Sequence, residues 1–548
     1  MKTPRPYQTE GIEQIYTAWQ ESPIAMFVLA TGMGKTFTSS CVIKDHLSGG
    51  KRTLFLAHRT ELIMQTRETL RIEGVPSGII MGGTKTDYSI PSQVGSVQTV
   101  VKRKGLPEFD LIVIDEGHHV AEDNSYYKIV QRFPNAKVLI LTATPYRLSG
   151  KGFKNVFKHA ETKLILNMPL DKGIDDGWLV PLKYFVGSTP DRSKISLVNG
   201  DYNEDDAKKE MEFAPIVETY LENAKGLQGL CFCVNVAHSK EVAQKYNDAG
   251  ISAVHIDGTT PTELRAEYLE AFKRREILVV CNVGIFTEGT DFPNCEFVQL
   301  ARLTKSLSLY LQMVGRGTRA TPGVVDKYQT AEERKQAINE SQKPYCKVLD
   351  NAGCWQDHGF PWQERDWQSY FIGYNKKKKK AKEETFAEEF IEVYEYEEPT
   401  TGIRRRTKNI KELDGMILVE VTKEYIELAT NNNAIREFHK LYATIKRNAR
   451  KPEAKIGMAT YMGFLDYCTK NNIVITRTMW GEIGEVLVKS IENKVAEYVQ
   501  RLNEPVIHEL DPYIKDLKRY GVPRTFLTKQ YQNYSQQYKQ KFGQMLPS

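Results

Sequence analysis

Three things are scarce in this chain, and each scarcity closes off a class of protein. No apolar run approaches the ~18 residues that a membrane-spanning helix needs, and the opening "MKTPRPYQTE" lacks the apolar segment of a secretory signal. A cytosolic protein with no membrane partner is therefore expected. Cysteine is sparse: eight in 548 residues, at Cys41, Cys231, Cys233, Cys281, Cys295, Cys346, Cys354 and Cys468. That scatter is not the regular spacing of a secreted disulfide scaffold, and apolar runs such as "GLCFCV" predict buried, reduced thiols. A strong excess of either charge is also missing, with 75 Lys and Arg against 69 Asp and Glu. At 41% hydrophobic and 26% charged residues the chain is neither disordered nor fibrous, and its length suits about three or four globular domains.

The small surplus of +6 is unevenly placed. From Lys376 to Ser548 there are 31 Lys and Arg against 24 Asp and Glu, so the basic excess sits in the C-terminal third. A basic appendage on a near-neutral body suits a module that binds a polyanion.

Short aliphatic runs, "AMFVLA", "TLFLA", "LIVID" and "VLILTAT", each lead into a longer stretch of mixed polarity. Parallel strands with crossover helices give that alternation. It breaks over the Gly-, Pro- and Asp-rich stretch from about Asp171 to Glu212, then restarts with "GLCFCV", "AVHID", "ILVVC" and "FVQLA". The predicted fold class is α/β: two tandem, doubly wound parallel-sheet domains over residues 1–170 and 171–374, then a mainly helical accessory domain over 385–548. "NKKKKKAKEE" at 375–384 is too polar to bury and reads as a basic linker. Beyond it, "GEIGEVLVKSIENKVAEYVQRL" has helical spacing.

The exit of the first run, "FVLATGMGKTFTSS", has the form of a phosphate-binding loop. Gly32 and Gly34 let the backbone curl, and the helix that follows turns its unpaired N–H groups and positive dipole end toward phosphates. Thr31 and Met33 complete the loop; Lys35 is placed to reach the β- and γ-phosphates, and Thr36 to bind Mg²⁺. The usual pattern opens on Gly where this chain has Leu29. In "LIVIDEGHHV" a buried strand delivers Asp115 to the carboxyl edge of the same sheet, where it can hold Mg²⁺. Glu116 is then available to deprotonate the attacking water. Two solvated acids at a strand end are the bland alternative; the preceding "GKT" favours Mg-ATP hydrolysis.

"RPYQ", "LATGMGKT", "LAHRTELIMQT", "GSVQTV", "DEGH", "LTATPYR", "FCVNVAHS", "NVGIFTEGTDFP" and "QMVGRGTR" follow one another in the order of superfamily 2 helicase motifs. Over roughly Pro4 to His358 the chain resembles that DEAD/DEAH-like superfamily. "HRTEL" and the Gln-first last motif are similar to the branch of XPB-type repair helicases, phage UvsW-type helicases and restriction motor subunits. The resemblance implies an ATP- and Mg²⁺-dependent DNA motor whose two α/β domains are RecA-like. It places Arg5 and Gln8 at the adenine, and His118 with the Thr142–Thr144 block as couplers of the metal site to the strand face. Gln312, Gly289 and Asp291 would meet the γ-phosphate and ribose, and Arg316 and Arg319, taken as one face of a helix turn, would enter the cleft from the second domain. Nucleic-acid contacts fall on Arg59, Thr60, Ser96, Gln98, Thr99, Asn235 and Thr304, groups suited to phosphate oxygens rather than base edges. Duplex, forked or branched DNA is the expected partner, ahead of RNA; a duplex translocase of a restriction or defence system is the other reading. Protein partners have no signature.

Three further patterns carry less. Cys346, Cys354 and His358 lack a fourth zinc ligand at usable spacing. Asp414, Glu420 and Lys423 have a nuclease-like order, but Glu420 and Lys423 are three apart and so on opposite faces of a strand. Tyr531, Tyr534 and Tyr538 fit a helical packing face better than base stacking.

Overall fold

The computed structural model describes residues 3–186, 189–286, 292, 294–363 and 365–373, with short pieces at 392–393, 408–409, 419–421, 438 and 463–464. It divides into two compact units, residues 1–389 with 393–422, and residues 390–392 with 423–548. The predicted linker, C-terminal helices and tyrosine stripe lie outside the described residues. In the second unit the rings of Phe438 and Phe464 meet edge-on at 5.3 Å.

The first unit contains two seven-stranded sheets. Strands β1 (Ile24–Leu29), β2 (Thr53–Ala57), β3 (Gly78–Ile80), β4 (Ser92–Ser96), β5 (Leu111–Ile114), β6 (Lys137–Thr142) and β7 (Thr162–Met168) build one, in the order β3-β4-β2-β5-β6-β1-β7. Every pairing in it is parallel. The strands β1, β2 and β5 are buried along their whole length because helices cover both faces. Chain membership then changes between Met168 and Leu182. The second sheet takes β8 (Leu182–Val186), leaves the small hairpin β9 (Leu197–Val198) and β10 (Asp201–Tyr202) outside, and continues with β11 (Gly229–Cys233), β12 (Ala253–Ile256), β13 (Val279–Asn282), β14 (Phe297–Ala301) and β15 (Cys346–Asp350). Its order is β12-β13-β11-β14-β15-β8, closed by the strand Val419–Val421, which pairs antiparallel with β8.

Two sequence readings meet the structure differently. The stretch from Asp171 to Glu212 is not merely irregular, since it supplies β8 and the helices Leu170–Asp175 and Glu204–Met211. The nuclease-like Glu420 lies in the short closing strand, whereas Asp414 and Lys423 are outside the described residues. All seven described cysteines are free thiols, six of them buried. Burial pushes the Cys295 thiol up to about 11. Cys354 Sγ donates to the Arg302 carbonyl and His358 Nε2 contacts the Thr304 carbonyl at 2.8 Å, so both are engaged by backbone. Among the described residues no helix is long and apolar enough to cross a membrane.

Candidate active site

In the first sheet, β1 and β5 both flank β6, so the loops leaving their carboxyl ends emerge side by side. Ligands in open α/β sheets bind at such an edge. After Leu29, the last buried residue of β1, the chain turns through Gly32 (φ +86°) and Gly34 (φ +85°, the cap of helix α2, Lys35–Ser48, which follows helix α1, Pro6–Glu21). Only glycine holds these left-handed values without strain. The space is used: a Cβ on Gly32 would lie 2.6 Å from Arg319 Cγ, and one on Gly34 2.6 Å from Gln8 Nε2. Lys35 and Thr36 open α2, and Lys35 Nζ donates to the Leu29 carbonyl at 3.2 Å, inside the loop. Enclosure pulls the Lys35 ammonium below its usual range; Glu116 and Asp115 work against that drop, while Arg316 and Arg319 add to it.

The acids sit at the end of β5, both buried. Asp115 Oδ1 accepts the Glu116 N–H at 3.0 Å. Glu116 itself is left-handed (φ 49°, ψ 59°), a region that side-chain-bearing residues rarely enter. Its Oε2 accepts from Gln312 Nε2 at 3.2 Å and lies 3.3 Å from His118 Nδ1.

Gln312 comes from the other sheet, on the helix Leu307–Gly315 that follows β14. Above it, Ser308 Oγ and Thr144 Oγ1 are 2.6 Å apart, and Thr144 is tied back by Thr142. Below it, a Cβ on Gly315 would lie 2.9 Å from Thr31 Cβ. The helix ends there, which corrects the expectation that Arg316 and Arg319 share a helix turn. Arg316 is the cap residue, and Thr318 Oγ1 returns a bond to the Gly315 carbonyl. Arg319 is then drawn into an extended bridge with Leu179, its carbonyl held by Lys343 Nζ at 2.8 Å. Both guanidinium groups nevertheless act on the Lys35 charge, and Arg319 lies over Gly32.

Beside the loop is a 790 Å³ cavity walled by Arg5, Gln8, Phe37 and Trp178 on one hand and by Arg319, Asp326 and Tyr328 on the other. Gln8 is buried, its Oε1 accepting the Arg5 N–H at 2.9 Å and its Nε2 donating to the Met33 carbonyl at 3.1 Å. Arg5 pairs with Asp326 at 2.7 Å. Burial opposes the Arg5 charge, but Tyr7 and Asp326 outweigh it and hold the group above its ordinary range. Arg5 and Arg334 both lie over the Trp178 ring, at 5.2 and 3.9 Å. Sequence reasoning missed Trp178 and Asp326, which belong to no motif, and Phe37, which directly follows "GKT"; a lone Trp in "DDGWLV" was the available signal.

The residues expected at a nucleic acid fall into three situations. Arg59 caps helix α3 (Thr60–Ile72), with Thr60 its first residue, and Arg59 Nη1 donates across to the Gly284 carbonyl at 2.9 Å. Ser96 donates to Gln98, whose Nε2 reaches the His58 carbonyl at 3.5 Å; Thr99 follows in the same short helix, and Asn235 caps the helix Val236–Asp248. Thr304 differs from expectation: it is fully buried and its hydroxyl donates to Asp201 at 2.7 Å, so in this conformation it shapes its loop. Gly289 and Asp291 lie outside the described residues.

Comparison with known proteins bears on both halves. Residues 1–147 match the family model described as the res subunit of type III restriction enzymes, and residues 212–321 match that of the conserved helicase C-terminal domain. A 51.5 kDa protein of Lactococcus phage (isolate 7-9) is 34% identical over 354 residues, which are 63% of this chain and 70% of the phage protein. The putative ATP-dependent helicase Irc3 of Saccharomyces cerevisiae is 33% identical over 355 residues, 58% of this chain and 49% of its own, so only about half of that relative is spanned. A solved fragment of a putative HsdR subunit of a type I restriction enzyme from Vibrio vulnificus has the same fold at 22% identity and a TM-score of 0.50, covering 69% of this chain and 68% of the fragment.

Proposed function

Because this chain belongs to the superfamily 2 helicases, we propose that this ATP-dependent, helicase-type motor works on DNA, unwinding or branch-migrating duplex and branched substrates. The assignment to the XPB- and UvsW-type branch is part of the proposal. So are the domain limits at 170 and 374 and a substrate-selecting role for residues 385–548.

One observation carries the reading: the Gln312 amide of the second sheet holds the Glu116 carboxylate of the first, while Arg319 lies over Gly32. A triphosphate at that seam would be touched from both sides. Gly32, Gly34 and the first turn of α2 present N–H groups to it, and the cradle closes if either glycine gains a Cβ. Lys35 exchanges its Leu29 carbonyl contact for phosphate oxygens. Thr36 and Asp115 are the oxygen ligands suited to Mg²⁺, which when bound neutralises charge on the β- and γ-phosphates. Glu116, oriented by Gln312, takes the proton of the attacking water. Arg316 and Arg319 meet the charge that builds on the γ-phosphate. Arg5 and Gln8 border the cavity of suitable size for the adenine. Since cations and acids belong to one sheet and the guanidinium groups to the other, turnover requires the seam shut, and shutting it draws Arg59, Gln98 and Asn235 together on the strand-binding side.

Steady-state ATPase with single-stranded DNA, duplex, a four-way junction and RNA, each at one stated salt concentration, tests the reading, followed by strand displacement on the best activator. Stimulation by RNA alone would end the DNA assignment. A duplex translocase that leaves the strands paired is the second reading, favoured by the match of residues 1–147 to a restriction-enzyme family. Duplex-stimulated ATPase without displacement would establish it.

A further inference from the structure

A file of three imidazoles starts at Glu116 and leads away from the nucleotide. The His118 ring, next to Glu116 Oε2, lies 4.2 Å from the His119 ring. His119 in turn meets the His58 ring nearly edge-on, at 4.5 Å and 62°. His58 precedes Arg59 in the chain, and its carbonyl is the group that Gln98 Nε2 reaches. The file thus runs from the segments assigned to the nucleic acid to the carboxylate assigned to water.

Two features make this file a means of transmission and not a casual stack. The turn Gly117–His119 is stiff: Glu116 enters it in the left-handed region, Gly117 is pressed so close to β6 that a Cβ would lie 2.2 Å from Ile140 Cγ2, and Asn124 Nδ2 holds the His119 carbonyl at 2.8 Å. A push on the His119 ring therefore moves the turn as one body. The other end holds a contact that a nucleic acid can exchange. Arg59 here donates to the Gly284 carbonyl of the other lobe, and a phosphodiester would compete for the same guanidinium. Exchange of that partner shifts the His58–Arg59 segment on which the file rests.

We propose that His58 and His119 are positioning residues through which nucleic-acid occupancy at Arg59 and Gln98 sets the orientation of Glu116, so that stimulation of hydrolysis passes through ring packing. The inference rests on the motor reading above. It assigns the regulation of the nucleotide site to His58, which stands in "LAHRTELIMQT" beside Arg59, and to His119, which follows "DEGH".

The test uses the full chain and a forked DNA duplex, measuring ATPase without and with DNA, KM for ATP, and DNA affinity by anisotropy. His119→Ala and His58→Ala should keep the DNA-free rate, the KM and the affinity, while the stimulation factor falls roughly 5-fold or more. His119→Phe, which keeps a ring in place, should retain most of the stimulation, and the double alanine variant should be no worse than either single one. Unchanged stimulation, additive losses, an equal loss of the DNA-free rate, or failure of His119→Phe to restore stimulation would each overturn the proposal. If the wild-type chain hydrolyses ATP but neither forked DNA nor RNA stimulates it, the motor reading fails first, and this inference with it.

Discussion

In the proposed motor Lys35, Glu116 and Arg319 divide the chemistry, so that their replacement should give three different kinetic signatures. Lys35→Ala removes the one ammonium enclosed in the loop and should depress nucleotide affinity and turnover together, by about 10²-fold or more in kcat/KM. Glu116→Gln keeps the shape and the Gln312 contact but cannot take a proton; ATP should still bind, measured with a fluorescent analogue, while kcat falls about 10²- to 10⁴-fold. Loss of binding instead would mean that Glu116 rather than Asp115 holds the metal. Arg319→Ala should leave affinity nearly intact and lower kcat by about 10³-fold, because its charge is needed as the phosphoryl group departs. Much of this was legible in the sequence, since "GKT" and "DE" are local patterns whose chemistry depends on adjacent atoms. Trp178 beneath Arg5 and Arg334, and His58 against His119, were not legible: those contacts join segments that are remote along the chain.

Strands show the same division. The eight runs read from the sequence are β1, β2, β5 and β6 in one sheet and β11 to β14 in the other, and in each sheet those four are contiguous. Most are covered on both faces and rich in aliphatic residues, so they announce themselves; β12, at the sheet edge and half-buried, is the exception. The strands that were missed, β3, β4 and β7, and β8 and β15, lie toward the sheet edges and carry polar residues, as in "SQVGS" and "LKYFV". The loop after β14 depends on a partly buried charge cluster of the same hidden kind. Asp357 accepts from Lys305 Nζ at 2.5 Å and from Tyr202 at 2.9 Å, with Arg192 at 3.4 Å. Burial alone would raise its carboxyl, but Arg192 and Lys305 outweigh that and hold it below the usual range. Asp357→Asn strands these cations and should destabilise the chain by about 3 kcal/mol in urea unfolding near neutral pH. A carboxyl lowered by folding stabilises fully above its unfolded value, about 4, and loses that contribution as pH falls through its folded value. The gap between wild type and Asp357→Asn should therefore narrow below about pH 4; a gap constant from pH 7 to 3 would show that the charge is not what holds the loop.

The two sheets and the remainder of the chain make a further prediction about where it can be cut. Val419–Val421 closes the second sheet against β8, so a chain ending at Thr422 keeps that pairing and one ending at Asn375 exposes the β8 edge. The longer truncation product should remain monomeric with measurable ATPase and an altered ranking of DNA substrates, whereas the shorter should associate through the open edge, seen by light scattering. An unchanged substrate ranking at 422 would show that the C-terminal residues do not select the DNA.

From the sequence alone came the α/β class, the order of the motifs and the identities of the phosphate-loop and acidic residues, because each depends on periodicity or on neighbours along the chain. Folding alone decided which groups face one another. Gln312 on Glu116, Arg319 over Gly32 and Arg5 on Asp326 arise where the helix Leu307–Gly315 and the segment after it lie against the first sheet's loops, and Thr304 turns inward onto Asp201 of the β9–β10 hairpin. The physical reason is that a residue's type limits the bonds it can make, while only the packed backbone determines which partner lies within reach.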